Sequence, residues 1–142
     1  MAQGKAAAAR QFLANVTTGP VKIVDPWATF SGGAVESETS PVWEGGASYP
    51  DMLGGPATTA DLELSRPYRP ERDQPIIDAL QKVVGSGVFT VTRQPTDADF
   101  VKVGKPTTYP ECVLKSVTPP ESDASSGEGS TWSITFAPTR PV

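Results

Sequence analysis

Apolar and polar residues alternate along this chain in short bursts separated by Gly and Pro, and one stretch switches to helical spacing. Ala60, Leu62 and Leu64 alternate with Asp61, Glu63 and Ser65, the period-two pattern of a half-buried strand. A stiff polar passage, 66–72, follows. Ile76, Ile77, Leu80, Val83 and Val84 then fall at i, i+1, i+4, i+7 and i+8. That spacing predicts a helix over 74–84 with this stripe turned to the core. Asp73 is placed to cap it, Pro75 to sit in its first turn and Gly85 to stop it. Asp78, Gln81 and Lys82 fall on the outer face. A second strand, 88–92, runs up to Gln94-Pro95. The unit 60–92 therefore reads as strand, helix, strand, and the rest of the chain is organised around it.

Before that unit the pattern is weaker. Residues 1–13 carry helix propensity through alanine alone. Val21, Ile23, Trp27 and Phe30 predict a strand, with Pro26 favouring a bend or an edge. Ser31-Gly32-Gly33 reads as a turn and 34–42 as a return arm, making 21–42 a predicted hairpin. That arm is a poor core strand, because Glu36 and Glu38 are its largest residues. Residues 44–56 contain four glycines and two prolines and read as a long loop. Trp43, Tyr49, Met52 and Leu53 would expose apolar area on it unless it packs on something.

After the unit, 94–106 reads as irregular. Residues 108–118 and 131–136 read as the arms of a hairpin. Cys112, Leu114 and Val117 are buried candidates on the first arm, and Trp132, Ile134 and Phe136 on the second. Its tip, 119–130, is rich in Pro, Ser, Gly and acid. No internal repeat is present.

Composition changes the picture chiefly by exclusion. The 142 residues include 15 Pro and 13 Gly against 37% hydrophobic, which fits many short strands with long connections rather than a helical domain. Net charge is −4 and basic residues never run beyond two, so no nucleic-acid groove is indicated. With no histidine, Ser-His-Asp and Cys-His catalysis are impossible. Cys112 is the single cysteine, which rules out an internal disulfide and a cysteine-based metal site. It reads as a buried, inert thiol.

The glycine pairs at 32–33, 45–46 and 54–55 match neither a phosphate loop nor a dinucleotide fingerprint. Glu36/Glu38 and Asp97/Asp99 read as solvated carboxylates rather than a catalytic pair, and Asp97-Ala98-Asp99 lacks the further ligands of a calcium loop. Trp27, Trp43 and Trp132 could form a sugar platform, but core or interface packing is the better reading. No apolar run approaches a membrane span, and the N-terminus lacks the apolar region of a signal peptide. The expectation is a protein made in the cytoplasm, not an enzyme, without cofactor or metal. Four segments lack a core role: the N-terminus, the Glu-bearing arm, 44–56 and 119–130. Neighbouring subunits would give them one, and head-to-tail contacts of that kind build rings or filaments.

The run 53–66, Leu-Gly-Gly-Pro-Ala-Thr-Thr-Ala-Asp-Leu-Glu-Leu-Ser-Arg, resembles the segment of tailed-phage tail tube proteins in which a Gly-Gly loop leads into a strand ending in Ser-Arg. Glu71-Arg72-Asp73, the run 94–99, Gly104-Lys105-Pro106 and the hairpin from Val117-Thr118-Pro119-Pro120 to Trp132-Ser133-Ile134 resemble the same family. Together they cover about 20–138. The resemblance implies a mainly β fold, a small β-sandwich or incomplete barrel with one flanking α-helix and long loops. It implies one tail tube domain over 1–142, with an N-terminal arm at 1–18 and long loops at 44–56 and 119–130. It further implies hexameric rings stacked into a tube, the conduit for genome ejection, in a virion tail assembled in the host cytoplasm.

Sheath, tape-measure, baseplate or tail-tip and terminator proteins would be the partners, with DNA passing through unbound and no membrane contact. The tubes of contractile injection and type VI secretion machines share the fold. On this reading Glu36 and Glu38 line the lumen, and Trp43, Tyr49, Met52 and Leu53 make contacts between rings and subunits. The alternatives are an injection-machine tube subunit, a tail terminator, or a monomeric β-sandwich module binding carbohydrate or a cell surface.

Overall fold

The computed structural model of the chain describes residues 6–139 and 141. Eight strands and one helix follow in the order β1 (Phe12–Thr18), β2 (Thr29–Gly32), β3 (Val35–Val42), β4 (Asp51–Thr59), β5 (Leu62–Pro67), α1 (Pro70–Gln81), β6 (Val88–Pro95), β7 (Thr107–Thr118) and β8 (Thr131–Ala137). Six of them form one antiparallel sheet in the order β1-β6-β7-β8-β5-β2, and β3 and β4 pair separately. The mainly β fold with one helix therefore stands.

The sheet curls because its longest strand changes partner midway. The first half of β7, Thr107 to Val113, pairs with β6, and the second half, Val113 to Thr118, pairs with β8. Glu111 sits near the crossover with a φ of 54°, a left-handed conformation rare for a residue with a side chain. The ladder shifts there, as at a β-bulge. Curling brings the ends of the sheet almost together, and the Trp27 N–H donates to the Ala14 carbonyl of β1 at 2.9 Å. The result is an incomplete barrel.

Alternation decides what fills it. Leu62 and Leu64 from β5, Phe89 and Val91 from β6, Cys112 and Leu114 from β7, and Trp132, Ile134 and Phe136 from β8 all point inward and are buried. The helix lays Ile76, Ile77 and Leu80 into the same core. The helix ends at Gln81 rather than at 84, so Val83, half-buried, and Val84, exposed, both lie beyond it.

Several expectations need correction. No helix forms over residues 6–13. The segment turns at 9–10 and enters β1, which is paired with β6 rather than being a free arm (1–5 lie outside the described residues). The predicted hairpin 21–42 does not form: β2 pairs with β5 and β3 with β4. Gly32 and Gly33, with φ of 91° and 84°, bend a strand that carries on instead of turning it back. Residues 51–56 are strand, not loop, which leaves 43–50 as the connection. Glycine and proline are tolerated there because the extra residues at Gly55-Pro56 form an irregularity in the ladder opposite Ser37–Thr39.

The helix starts four residues earlier than its apolar stripe suggests, with Pro70 as its first residue. Asp73 caps from inside: its carboxylate accepts the Arg69 N–H at 2.8 Å. Ala60 is exposed and precedes β5.

Candidate assembly surfaces

The pairings of β2 with β5 and of β3 with β4 belong to one long ribbon. Its register runs from Thr29 opposite Ser65 to Gly32 opposite Leu62, then from Val35 opposite Thr59 to Val42 opposite Asp51. The joint is closed by the Gly33 N–H to the Ala60 carbonyl and the Ala60 N–H to the Ala34 carbonyl. The inner half of the ribbon is part of the barrel. The outer half, β3 and β4, projects as an arm on which every residue but Thr59 is exposed. Glycine is required at the joint: a Cβ on Gly32 would lie 1.8 Å from the Asp61 carbonyl oxygen.

The arm has two unlike faces. By its register, Glu36, Glu38 and Val42 share a face with Leu53 and Asp51, and Val35, Ser37, Thr39 and Pro41 share the other with Met52 and Ala57. One face is acidic and the other uncharged. At the tip, Trp43 is 63% and Tyr49 78% exposed, with Met52 at 59% and Leu53 at 55%. All four lie at the outer end of the arm, away from the core, with Met52 and Leu53 on its opposite faces. Burying side chains of this size stabilises by roughly 1.5–3 kcal/mol each, and the described residues offer nothing to bury them against.

What fixes the barrel behind the arm is a buried charge cluster that the sequence pattern did not reveal. Arg66, the last inward residue of β5, is 2% exposed, and it donates to the Asp73 carboxylate at 2.8 Å. Its guanidinium carbon lies 4.3 Å from the centre of the Trp27 ring and 5.3 Å from that of Trp132. The two indoles are themselves 4.9 Å apart. Arg72 adds bonds to Asp73 at 2.9 and 3.0 Å and reaches Asp25 at 3.1 Å.

Burial alone would raise the Asp73 pKa, but hydrogen bonds from Arg72, the Arg69 N–H and Arg66 hold it at about 2. Burial pulls the Arg66 pKa down, against Asp73. The cluster ties the segment before β2, the end of β5, the helix start and β8 together. Two of the three tryptophans are thus core residues, and Trp43 alone is free for an interface. Asp78 and Gln81 on the outer side of the helix, and Lys82 at its C-terminal cap, are exposed.

Burial raises the Cys112 thiol to about 11, so it is not poised as a nucleophile. Among the described residues no group of acidic or thiol side chains is arranged to hold a metal ion. Among the described residues no helix is long and apolar enough to cross a membrane.

No protein family known from sequence matches the chain, and no curated protein does. Solved structures do. The tube-terminating cap of the anti-feeding prophage superposes with a TM-score of 0.80 over 100% of this chain and 93% of its own, at 15% identity. The sheath/tube terminator of the extracellular contractile injection system PVC, in its extended state, gives 0.80 over 99% and 98%, at 16% identity. A chain of the PVC sheath–tube complex gives 0.76 over 95% and 88%, at 15% identity. This is the tail-tube fold. At such identities the likeness is one of architecture, and the tail-tube fold is what the incomplete barrel, its helix and its projecting arm amount to.

Proposed function

We propose that the chain is a structural subunit of the tube of a phage tail or of a phage-like contractile injection machine. Copies associate laterally into hexameric rings, and the rings stack head to tail into a hollow conduit. The observation that carries this reading is the arm, a paired ribbon outside the core whose outer end leaves Trp43, Tyr49, Met52 and Leu53 exposed to solvent. Exposed clusters of large apolar side chains mark interaction sites. A copy of the same chain supplies a cover at every position of a repeating assembly, and a contact between unlike surfaces propagates.

The acidic face of the arm, with Glu36 and Glu38, turns toward the lumen. Carboxylates there repel a polyanion in transit, where Lys or Arg would hold it by its phosphates. In a phage the passenger is the genome, which goes through without specific binding. Sheath, tape-measure, baseplate and terminator proteins are the further partners, in a particle assembled in the host cytoplasm.

A second reading is a terminator that forms one ring and stops, favoured by the likeness to a tube-terminating cap and a sheath/tube terminator. Negative-stain electron microscopy of the purified chain over a range of concentrations separates the two. Stacked tubes are expected, single rings would establish the terminator, and monomers at every concentration would overturn both.

A further inference from the structure

The 96–106 connection is a built surface that the core does not use. Asp97 accepts the N–H groups of Asp99 and Val101 at 2.9 and 3.0 Å. The side-chain amide of the buried Gln94 donates to the Val103 and Gly104 carbonyls, both at 3.2 Å. Phe100 is held at a φ of 59°, in the left-handed region. So held, the loop leaves Phe100, Val101 and Val103 exposed.

The charge around it is basic. Lys102 and Lys105 lie on the loop. The Arg10 guanidinium stands 5.9 Å from the centre of the Phe100 ring, and Arg93 pairs with Thr107 where the loop rejoins the sheet. All four cations are exposed. Against them stand Asp99 and Asp97, the latter bonded to the loop's own N–H groups.

The 119–130 connection is the counterpart in charge. It leaves an open groove of about 850 Å3 beside β5, β7 and β8. Glu63, Glu121, Asp123 and Glu128 line it, no basic residue does, and Pro119 adds an apolar edge. Among the described residues, none of these four carboxylates and none of the four cations is in an ion pair.

The two surfaces do not meet within one copy. β7 is entered from 96–106 and left into 119–130, so they stand at opposite ends of its twelve residues. That separation is roughly 35–40 Å along the strand. Copies stacked along this direction bring the loop of one to the groove of the next.

We infer that this is a ring-to-ring contact: Lys102 and Lys105 of one copy enter the acidic groove of a second copy, and Phe100 and Val101 pack at its Pro119 edge. The inference rests on the tube reading above and adds to it the pair of surfaces that stack. Because the surfaces are unlike, each copy keeps a free loop at one end and a free groove at the other, and the contact repeats. Charge also sets the polarity of stacking, since two grooves or two loops brought together repel. Salt screens the attraction and weakens the stack.

The test reverses each surface in the full chain. Lys102→Glu/Lys105→Glu makes the loop acidic, and Glu121→Lys/Glu128→Lys makes the groove basic. Negative-stain electron microscopy and sedimentation should show that each variant alone loses tubes and leaves rings or subunits. Mixed in equal amounts, the two should form tubes again, because each then finds its opposite at both ends. Tubes from either variant alone, at the concentration the native chain needs, overturn the inference. So does a mixture that stays unstacked.

If a reversed variant does not fold, Lys102→Gln/Lys105→Gln replaces it, and a tube-forming concentration equal to that of the native chain overturns the inference. Native single rings that never stack would overturn it and leave the terminator reading standing. If the native chain forms neither rings nor tubes, the tube reading itself fails, and the inference with it.

Discussion

Arg66 and Asp73, seven residues apart in sequence, form a buried ion pair at 2.8 Å, with Arg66 layered against Trp27 and Trp132. A charge at the end of a strand thereby becomes the point at which the helix start, two tryptophans and the loop before β2 are locked together. Its worth lies in what its loss would leave behind. Removing one partner strands the other as an uncompensated buried charge, at a cost of about 3–5 kcal/mol. Asp73→Asn should lower stability by that order, measured as a fall in the denaturation midpoint with unchanged m-value.

Acid should act through the same carboxylate. Asp73 titrates at about 2 in the folded protein against an ordinary value of 3.8. A depressed pKa stabilises above the unfolded value, and the stabilisation is lost as pH falls from about 4 through about 2. A shift of this size corresponds to roughly 2 kcal/mol. Stability measured across that window should drop in the native protein, and the drop should be smaller by about this amount in Asp73→Asn.

The arm should be dispensable for folding and indispensable for assembly. Trp43→Ser should leave the unfolding midpoint unchanged within about 0.5 kcal/mol, as for surface positions generally, and should abolish polymers. Because Trp27 and Trp132 are buried and Trp43 is not, polymerisation of the native chain should shift tryptophan emission to the blue. Emission that stays fixed while tubes form would remove Trp43 from the interface.

Gly32 should be irreplaceable. Its φ is 91°, and the Asp61 carbonyl oxygen lies 1.8 Å from where the Cβ of an alanine would stand. Gly32→Ala should destabilise by more than about 1–2 kcal/mol and detach the arm from its register, visible as faster amide exchange at 33–36.

Glu111 offers the converse. A left-handed φ costs a residue with a side chain roughly 1–2 kcal/mol, and glycine returns about 0.5–1 kcal/mol of that as chain entropy. Glu111→Gly should stabilise by a fraction of a kcal/mol and raise the melting temperature slightly. A loss would show that the Glu111 side chain does more at the bend than the backbone suggests.

Where burial is regular, the sequence alone determined the outcome. Leu62 and Leu64 on β5, and Trp132, Ile134 and Phe136 on β8, alternate because one face of each strand meets the core. Ile76, Ile77 and Leu80 recur at helical spacing for the same reason. The mainly β class with one helix followed from those patterns, and the absence of histidine closed off whole classes of catalysis. The arm was not legible. A ribbon with no core face has no alternation to display, so Gly54, Gly55 and Pro56 looked like loop while the pairing of β3 with β4 made them strand.

Nor could spacing show that Arg66 points inward, since only the folded chain places Asp73 and two indoles around it. The row of Thr29, Ser65, Ser133 and Thr118 across β2, β5, β8 and β7 is likewise a product of register: these residues lie far apart in sequence and meet only when four strands pair. Periodicity records what each segment buries against the core. Which segments meet, and what they jointly turn outward, is fixed by pairings distant in sequence, and these leave no local trace.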